Sequence, residues 1–248
     1  MTVAAKGSTP KGVQGEDQVG RHVRRMFDGV APRYDFLNHL LSFQTDRYWR
    51  WRTVRLLRPY LDRPDSRPVD LCCGSGDLML ALQRASNAPV YGSDFSHQML
   101  RAATAKIASR RAPAKVFEAD ALRLPLRDNA ATLVTAAFGF RNLANYRRGL
   151  DELLRVLAPG GAAAILEFST PPNRLFRVAY DFYSRRILPR LGAIFSAEPG
   201  AYEYLPESVR KFPAAGELAA QMREAGFSEV RFHRMTCGIV ALHIGIKP

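Results

Sequence analysis

Asp70, Asp94 and Asp120 each stand at or near the end of a strand-like run, and the first is followed by the turn Cys72-Cys73-Gly74-Ser75-Gly76-Asp77. Gly74 and Gly76 allow a tight turn and a close backbone approach to a ligand, where a Cβ would collide. Asp94 follows Asp70 by 24 residues, which places an acid where ribose hydroxyls are read in nucleotide-binding βαβ units. The turn lacks the third glycine of a dinucleotide fingerprint and the lysine of a phosphate loop. Asp70 and Asp77 would repel a pyrophosphate and attract an ammonium or a sulfonium. The ligand that fits is a cationic nucleoside, S-adenosylmethionine. Asp120 then suits the adenine amine and Ala121 leaves room for the ring; a plain turn residue is the alternative for Asp120.

Strands must hold these acids. From Pro68 onward strand-like and helix-like runs alternate, which predicts an α/β fold with a parallel sheet. The expected strands after Asp94 are Lys115 to Ala119, Thr132 to Phe138, Ala162 to Phe168, Glu229 to Met235 and Ile239 to Ile246. Helices are expected from Ser96, as N-cap, to Arg110, from Tyr146 to Leu157, and from Ala215 to Ala225 with Gly226 closing it. Pro159-Gly160-Gly161 reads as a turn. In an open α/β sheet ligands sit at the carboxyl ends of the strands, so Asp70, Asp94, Asp120 and Phe138-Gly139 converge there.

Three regions follow. Residues 1–20 are polar and small and are expected to form a disordered tail. Residues 21–64 read as a helical cap, interrupted by Pro32 and closed by Pro59 and Pro64. Residues 65–248 form the main domain, with a helical insertion at about 172–213. No apolar run approaches the ~18 residues of a membrane span, and the first residues lack a secretory apolar core, so a cytoplasmic protein is expected. Three cysteines without a CxxC pair point to neither a disulfide framework nor zinc, and no metal is expected. Lys plus Arg number 36 against 23 for Asp plus Glu, a net charge of +13 that calls for an anionic partner or serves solubility alone.

More specific blocks complete the pattern. They are Val30 to Asp35 with Asn38, Arg47 to Arg50, Leu71 to Leu78, Phe138-Gly139-Phe140-Arg141-Asn142, and Leu166 to Ser169. Tyr202 to Pro206, Phe212-Pro213 and Gly238 to His243 follow. With these the chain resembles the ubiquinone/menaquinone biosynthesis C-methyltransferases from about Val23 to its C-terminus. The resemblance implies a class I S-adenosylmethionine-dependent methyltransferase with a Rossmann-like, seven-stranded, mostly parallel sheet. It implies methylation of a polyprenylated quinol ring, with S-adenosylmethionine as donor. The ring is demethylmenaquinol, a benzoquinol, or both.

By position, the family's donor contacts fall on Ser75, Asp94, Asp120 and Ala121, beside Asp70, Gly74 and Gly76 of the turn. Ala137 stands where the family often has serine, Gln44 where it has glycine, and Cys237 at another departure. Arg141, beside Asn142, is the candidate for stabilising a ring phenolate. Tyr34, Asp35, Tyr204 and His243 are candidates for holding the hydroxyl or relaying its proton, and a core histidine is an equal reading of His243.

From Arg174 to Phe195 arginines interleave with large apolar residues, as in a helix lying on an anionic bilayer. Peripheral docking on the inner face of the cytoplasmic membrane is therefore expected, against packing on the sheet. Two other functions compete. A nucleic-acid methyltransferase would use the basic charge, but the block after the fourth strand lacks an Asn/Asp-Pro-Pro-aromatic signature and no Pro-Cys nucleophile is present, so no nucleic acid is expected. A non-catalytic subunit of a quinone-synthesis assembly would not need Ser75, Asp94 and Arg141.

Overall fold

A computed structural model describes residues 7–8, 10, 12–13, 15–31, 34–187 and 199–248. Seven strands form one sheet: β1 (Pro68–Leu71), β2 (Tyr91–Asp94), β3 (Lys115–Glu118), β4 (Ala131–Ala137), β5 (Leu157–Phe168), β6 (Ser228–Met235) and β7 (Val240–Ile246). Their order is β3-β2-β1-β4-β5-β7-β6, with β7 antiparallel between β5 and β6 and the other pairs parallel. β1 and β4 are buried along almost their whole length, so they read as apolar runs rather than alternating ones.

Helices cover both faces. On one face α6 (Tyr146–Val156) buries Leu150 and Leu153 over β5, and α9 (Ala215–Glu224) buries Leu218 and Met222 over β6 and β7. On the other, α3 (Thr45–Leu61) and α4 (Asp77–Gln83) bury Leu57, Leu61, Leu78 and Leu82. α5 (His97–Ser109) starts at the expected cap, Ser96, whose hydroxyl accepts from Met99 N. The insertion holds α7 (Arg174–Phe182) and α8 (Pro199–Lys211).

Three boundaries differ from the sequence expectation. α1 (Glu16–Val30) begins inside the expected tail, because Glu16 and Asp17 suit a helix N-terminus and Val19 and Val23 are buried. The expected cap holds α1, α2 (Tyr34–Leu41) and α3, but α3 also covers the sheet, and burial of Leu57 and Leu61 carries it past Pro59. Pro159-Gly160-Gly161 bulges within a longer β5, which pairs with β4 both before it, Ala131 with Leu157, and after it, Leu133 with Ala162. Pro32 and Arg33, and residues 188–195 of the basic amphipathic stretch, lie outside the described residues.

Candidate active site

The carboxyl ends of the neighbouring strands β1 and β4 place two side-chain-bearing residues, Cys72 and Phe138, at positive φ of 50° and 58°. Gly139 makes this crossing possible, since a Cβ there would lie 2.2 Å from Cys72 Cβ. Two cavities, of about 490 and 440 Å³, open on either side. Phe27, Tyr34, Cys72, Ala137 and Phe138 line both, so the cavities meet at these five residues.

The first cavity is rimmed by Gly74, Asp94, Asp120, Ala121 and the face of α1. Asp94 Oδ2 accepts from Gly74 N at 2.9 Å and Oδ1 accepts from Ser96 N at 2.9 Å. Burial outweighs these bonds and pushes the Asp94 carboxyl up to about 6. Asp120 Oδ1 accepts from Leu122 N at 2.9 Å, so its turn role and its place on the cavity wall coexist. α1 is fastened over this cavity by Arg24 to Glu118, Glu16 to Arg148 and Asn145, and Ser96 to Asp28. A carboxylate-rimmed cavity of this size, entered by the backbone of a positive-φ glycine, Gly74, fits a nucleoside carrying positive charge.

The second cavity is apolar, with Trp49, Phe138 and Phe168 on one wall and Tyr34, Tyr180 and Tyr204 around Arg141. Phe138 and Phe168 centroids are 4.8 Å apart, and the Arg141 guanidinium sits 5.4 Å from the Phe168 ring. Arg141 is not a free cation. Its Nη1 lies 3.0 and 3.2 Å from the Glu167 carboxylate oxygens and also donates to Phe138 O. Burial works against the guanidinium charge, and Glu167 overrides it and raises the pKa. Arg141 Nε stays buried without a partner. Tyr34 is pushed up to about 12 by burial, so it is a neutral hydrogen-bonding group. Tyr204 donates to Asn142 Oδ1 at 3.0 Å and meets Ser8 Oγ at 2.7 Å.

The remaining sequence candidates fall in different places. Asp70 lines the second cavity, takes the Thr135 hydroxyl at 2.5 Å, and is pushed up to about 7 by burial. Gly76 caps α4 at φ 88° and lines neither cavity. Ser75 lines the second cavity rather than the first, and its hydroxyl donates to Asp35. Asp35 lines neither cavity; it accepts from Ser75 and pairs with Lys106. His243 takes the core position that was its equal reading. Its Nε2 donates to Ala215 O at 2.8 Å, its ring packs on Phe232, and burial lowers it to about 4, which makes it a neutral core histidine.

Sequence reasoning missed the role of Glu167, Lys106 and Tyr180, although Glu167 lay within a quoted block. Among the described residues one triad, His39, Asp46 and Asp77, offers metal-ligand atoms within 4.8 Å of one another. Arg50 and Lys106 already pair with its carboxylates.

A model of the ubiE/COQ5 methyltransferase family matches residues 13–247. The chain is 50% identical over 224 residues to a demethylmenaquinone methyltransferase of Thermus thermophilus, covering 90% of this chain and 100% of that one. It is 41% identical over 232 residues to the ubiquinone/menaquinone biosynthesis C-methyltransferase UbiE of Geobacter sulfurreducens, covering 92% and 89%. A solved SAM-dependent methyltransferase of Thermotoga maritima shares the fold, with a TM-score of 0.63 over 92% of this chain and 100% of that one at 18% identity.

Proposed function

Because this chain belongs to the ubiE/COQ5 methyltransferase family, we propose that its first cavity holds the methyl donor and its second a polyprenylated quinol, with transfer where they meet. It is an S-adenosylmethionine-dependent C-methyltransferase of quinone biosynthesis. The ring we assign is demethylmenaquinol, supported by the relatives named for that quinone. The observation that carries the reading is the junction itself: a carboxylate-rimmed cavity and an apolar one share Tyr34, Cys72, Ala137 and Phe138.

S-adenosylmethionine supplies a methyl group on a sulfonium, an electrophile that needs alignment rather than activation. Asp94 takes the ribose hydroxyls, Asp120 and Ala121 the adenine, and Gly74 the closest backbone approach. Asp70 places a carboxylate near the cationic end. Phe138 and Phe168, packed on each other, give the quinol ring an aromatic wall. A ring hydroxyl ionises near pH 10 in water, and Arg141, buried and with a free Nε, favours its anion at the cavity wall. Tyr34 and Tyr204 orient ring oxygens by hydrogen bonds, and Asn142, on the wall of the first cavity, holds the Tyr204 hydroxyl. α1 and α2 exclude water from the junction.

No helix among the described residues is long and apolar enough to cross a membrane. A surface site serves a lipid-tailed substrate instead. α7 buries none of its residues, and Leu175, Val178 and Phe182 are 81, 62 and 63% exposed. Phe43, 73% exposed, and Phe176 stand on the wall of the apolar cavity, so that cavity opens beside this face. With Arg174 and Arg186 exposed as well, the face suits peripheral docking on an anionic bilayer.

The deciding experiment offers labelled donor with demethylmenaquinol, a demethylated benzoquinol and bulk RNA in parallel. Label in demethylmenaquinol is expected. Label in the benzoquinol alone would move the ring assignment, and label in RNA alone would overturn the quinone reading.

A further inference from the structure

Lys106 and Asp35 line neither cavity, yet they sit in a dense ionic group beside the junction. Lys106 Nζ lies 2.5 Å from Asp35 Oδ2, 2.7 Å from Asp77 Oδ1 and 3.0 Å from Ser75 Oγ, so all three of its donors have partners. Ser75 in turn donates to Asp35 Oδ1. These four residues come from three places in the fold: α2 of the cap, the glycine turn with the first residue of α4, and α5. The Lys106 and Asp35 side chains are 21 and 34% exposed, which partly shields the pair from screening.

The group extends toward α3. Asp77 Oδ2 lies 3.5 Å from Arg50 Nη2 and 3.8 Å from His39 Nε2. Asp46 Oδ2 lies 2.5 Å from Arg50 and 2.6 Å from His39 Nδ1. Burial opposes the Asp77 charge, and Lys106, Arg50 and His39 together more than offset it, holding that carboxyl below its ordinary range. Three carboxylates thus face Lys106, Arg50 and the His39 imidazole.

The first two cap helices are fastened by different groups. α1 is tied over the first cavity by Glu16, Arg24 and Asp28. α2 reaches the glycine turn through Asp35 and His39. Tyr34, next to Asp35, rests against that turn: a Cβ at Gly74 would lie 3.7 Å from Tyr34 Cε1. Tyr34, Asn38 and Leu41 of α2 also line the apolar cavity.

We propose that the Lys106–Asp35 pair, with Ser75, is a latch that positions the first turn of α2, holding Tyr34 over the junction and giving the quinol cavity its shape. Lys106 is a positioning residue, acting on the substrate only through Asp35 and Tyr34. Opening the latch strips α2 from the quinol side and takes Tyr34 from the edge of the donor cavity, which keeps Asp94, Asp120 and α1. The inference rests on the assignment of a quinol to the second cavity.

The test compares Lys106→Gln, Asp35→Asn, the double variant and Lys106→Arg with the unmodified protein. Methyl transfer to demethylmenaquinol and calorimetric affinity for S-adenosylhomocysteine are measured for each, with hydrogen exchange across α1 and α2. Each neutralising single variant is expected to lose about tenfold or more in kcat/KM for the quinol. Affinity for S-adenosylhomocysteine is expected to stay within about threefold, and the double variant to be no worse than the singles. Lys106→Arg should recover most of the loss, and exchange in Lys106→Gln should quicken across 34–41 but not across α1.

Losses that multiply in the double variant, or donor affinity that falls in step with turnover, would overturn the latch. So would unchanged exchange across α2. An unmodified protein that methylates no quinol would instead sink the substrate assignment, and the exchange comparison would still decide the latch.

Discussion

Arg141 and Glu167 meet across 26 residues of sequence, and each is buried with the other as its ionic partner. Removing one charge from such a pair leaves the other uncompensated in a low-dielectric site. Glu167→Gln is therefore expected to cost about 3–5 kcal/mol in urea unfolding, and to lower kcat as well. Arg141→Lys keeps a charge but loses the planar fork, and about a hundredfold fall in kcat is expected if the guanidinium stabilises the ring anion. An unchanged kcat would remove Arg141 from the chemistry. Asp70 and Asp94, raised by burial to about 7 and 6, give a second expectation. Their raised pKa values contribute stability that is fully present below the ordinary carboxylate range and is lost as pH rises through about 6 and 7. A cationic donor favours the ionised carboxylates, so its binding works in the opposite direction. The rise in melting temperature on adding S-adenosylmethionine should be larger at pH 7.5 than at pH 5.5. S-adenosylhomocysteine, with a neutral sulfur, should show a weaker pH dependence; equal slopes would detach the carboxylates from the sulfonium. The placing of Asp94 and Asp120 was legible in the sequence because strand ends are marked by local pattern. The Arg141–Glu167 pair was not, because no local signal says which carboxylate a distant strand will deliver. The partners of Asp35 and His243, Lys106 and Ala215, were illegible for the same reason, since they come from distant parts of the chain.

The elements are mostly short-range objects, and this is why the alternation from Pro68 onward yields strands and helices close to their observed bounds. Long-range packing decides the remainder. α3 looked like cap because it precedes β1, yet its Leu57 and Leu61 belong to the sheet core. Two turns show how backbone geometry constrains sequence. Gln44 caps α3 at φ 63° and ψ 4°. A side chain in that region is strained, so Gln44→Gly should be neutral or should stabilise by about 0.5–1 kcal/mol in urea unfolding. Clear destabilisation would show that the Gln44 side chain has a role the backbone does not reveal. Gly139 is the opposite case. Gly139→Ala forces a Cβ into Cys72, and the nearby atoms are not the yielding end of a long chain. The loop carrying Phe138, Arg141 and Asn142 must shift, so about 1–3 kcal/mol of stability should be lost together with methyl transfer. Full activity in Gly139→Ala would mean that the junction tolerates a displaced loop.

At the scale of the molecule, the proposed docking on an acidic bilayer would give a net charge of +13 its anionic contact and an exposed apolar helix its apolar one. Basic residues near such a surface gain about 1 kcal/mol each, and the attraction fades over a Debye length, so binding must weaken with salt. The apolar part does not share that dependence. Each large side chain buried in the acyl region contributes about 1.5–3 kcal/mol, so Leu175→Ser with Phe182→Ser should lower partition onto anionic vesicles by at least about tenfold. The same double variant should transfer methyl groups to a short-tailed, water-soluble demethylmenaquinol as the unmodified protein does, since neither side chain lines a cavity. With a long-tailed quinol carried in vesicles, its turnover should fall in step with vesicle binding. Equal turnover on vesicle-borne substrate, or no binding of the unmodified protein to anionic vesicles, would separate the basic face from substrate delivery. The charge would then be left to solubility or to another anion. A loss on the soluble substrate as well would place α7 in the architecture of the quinol cavity, where Phe176 and Tyr180 already stand.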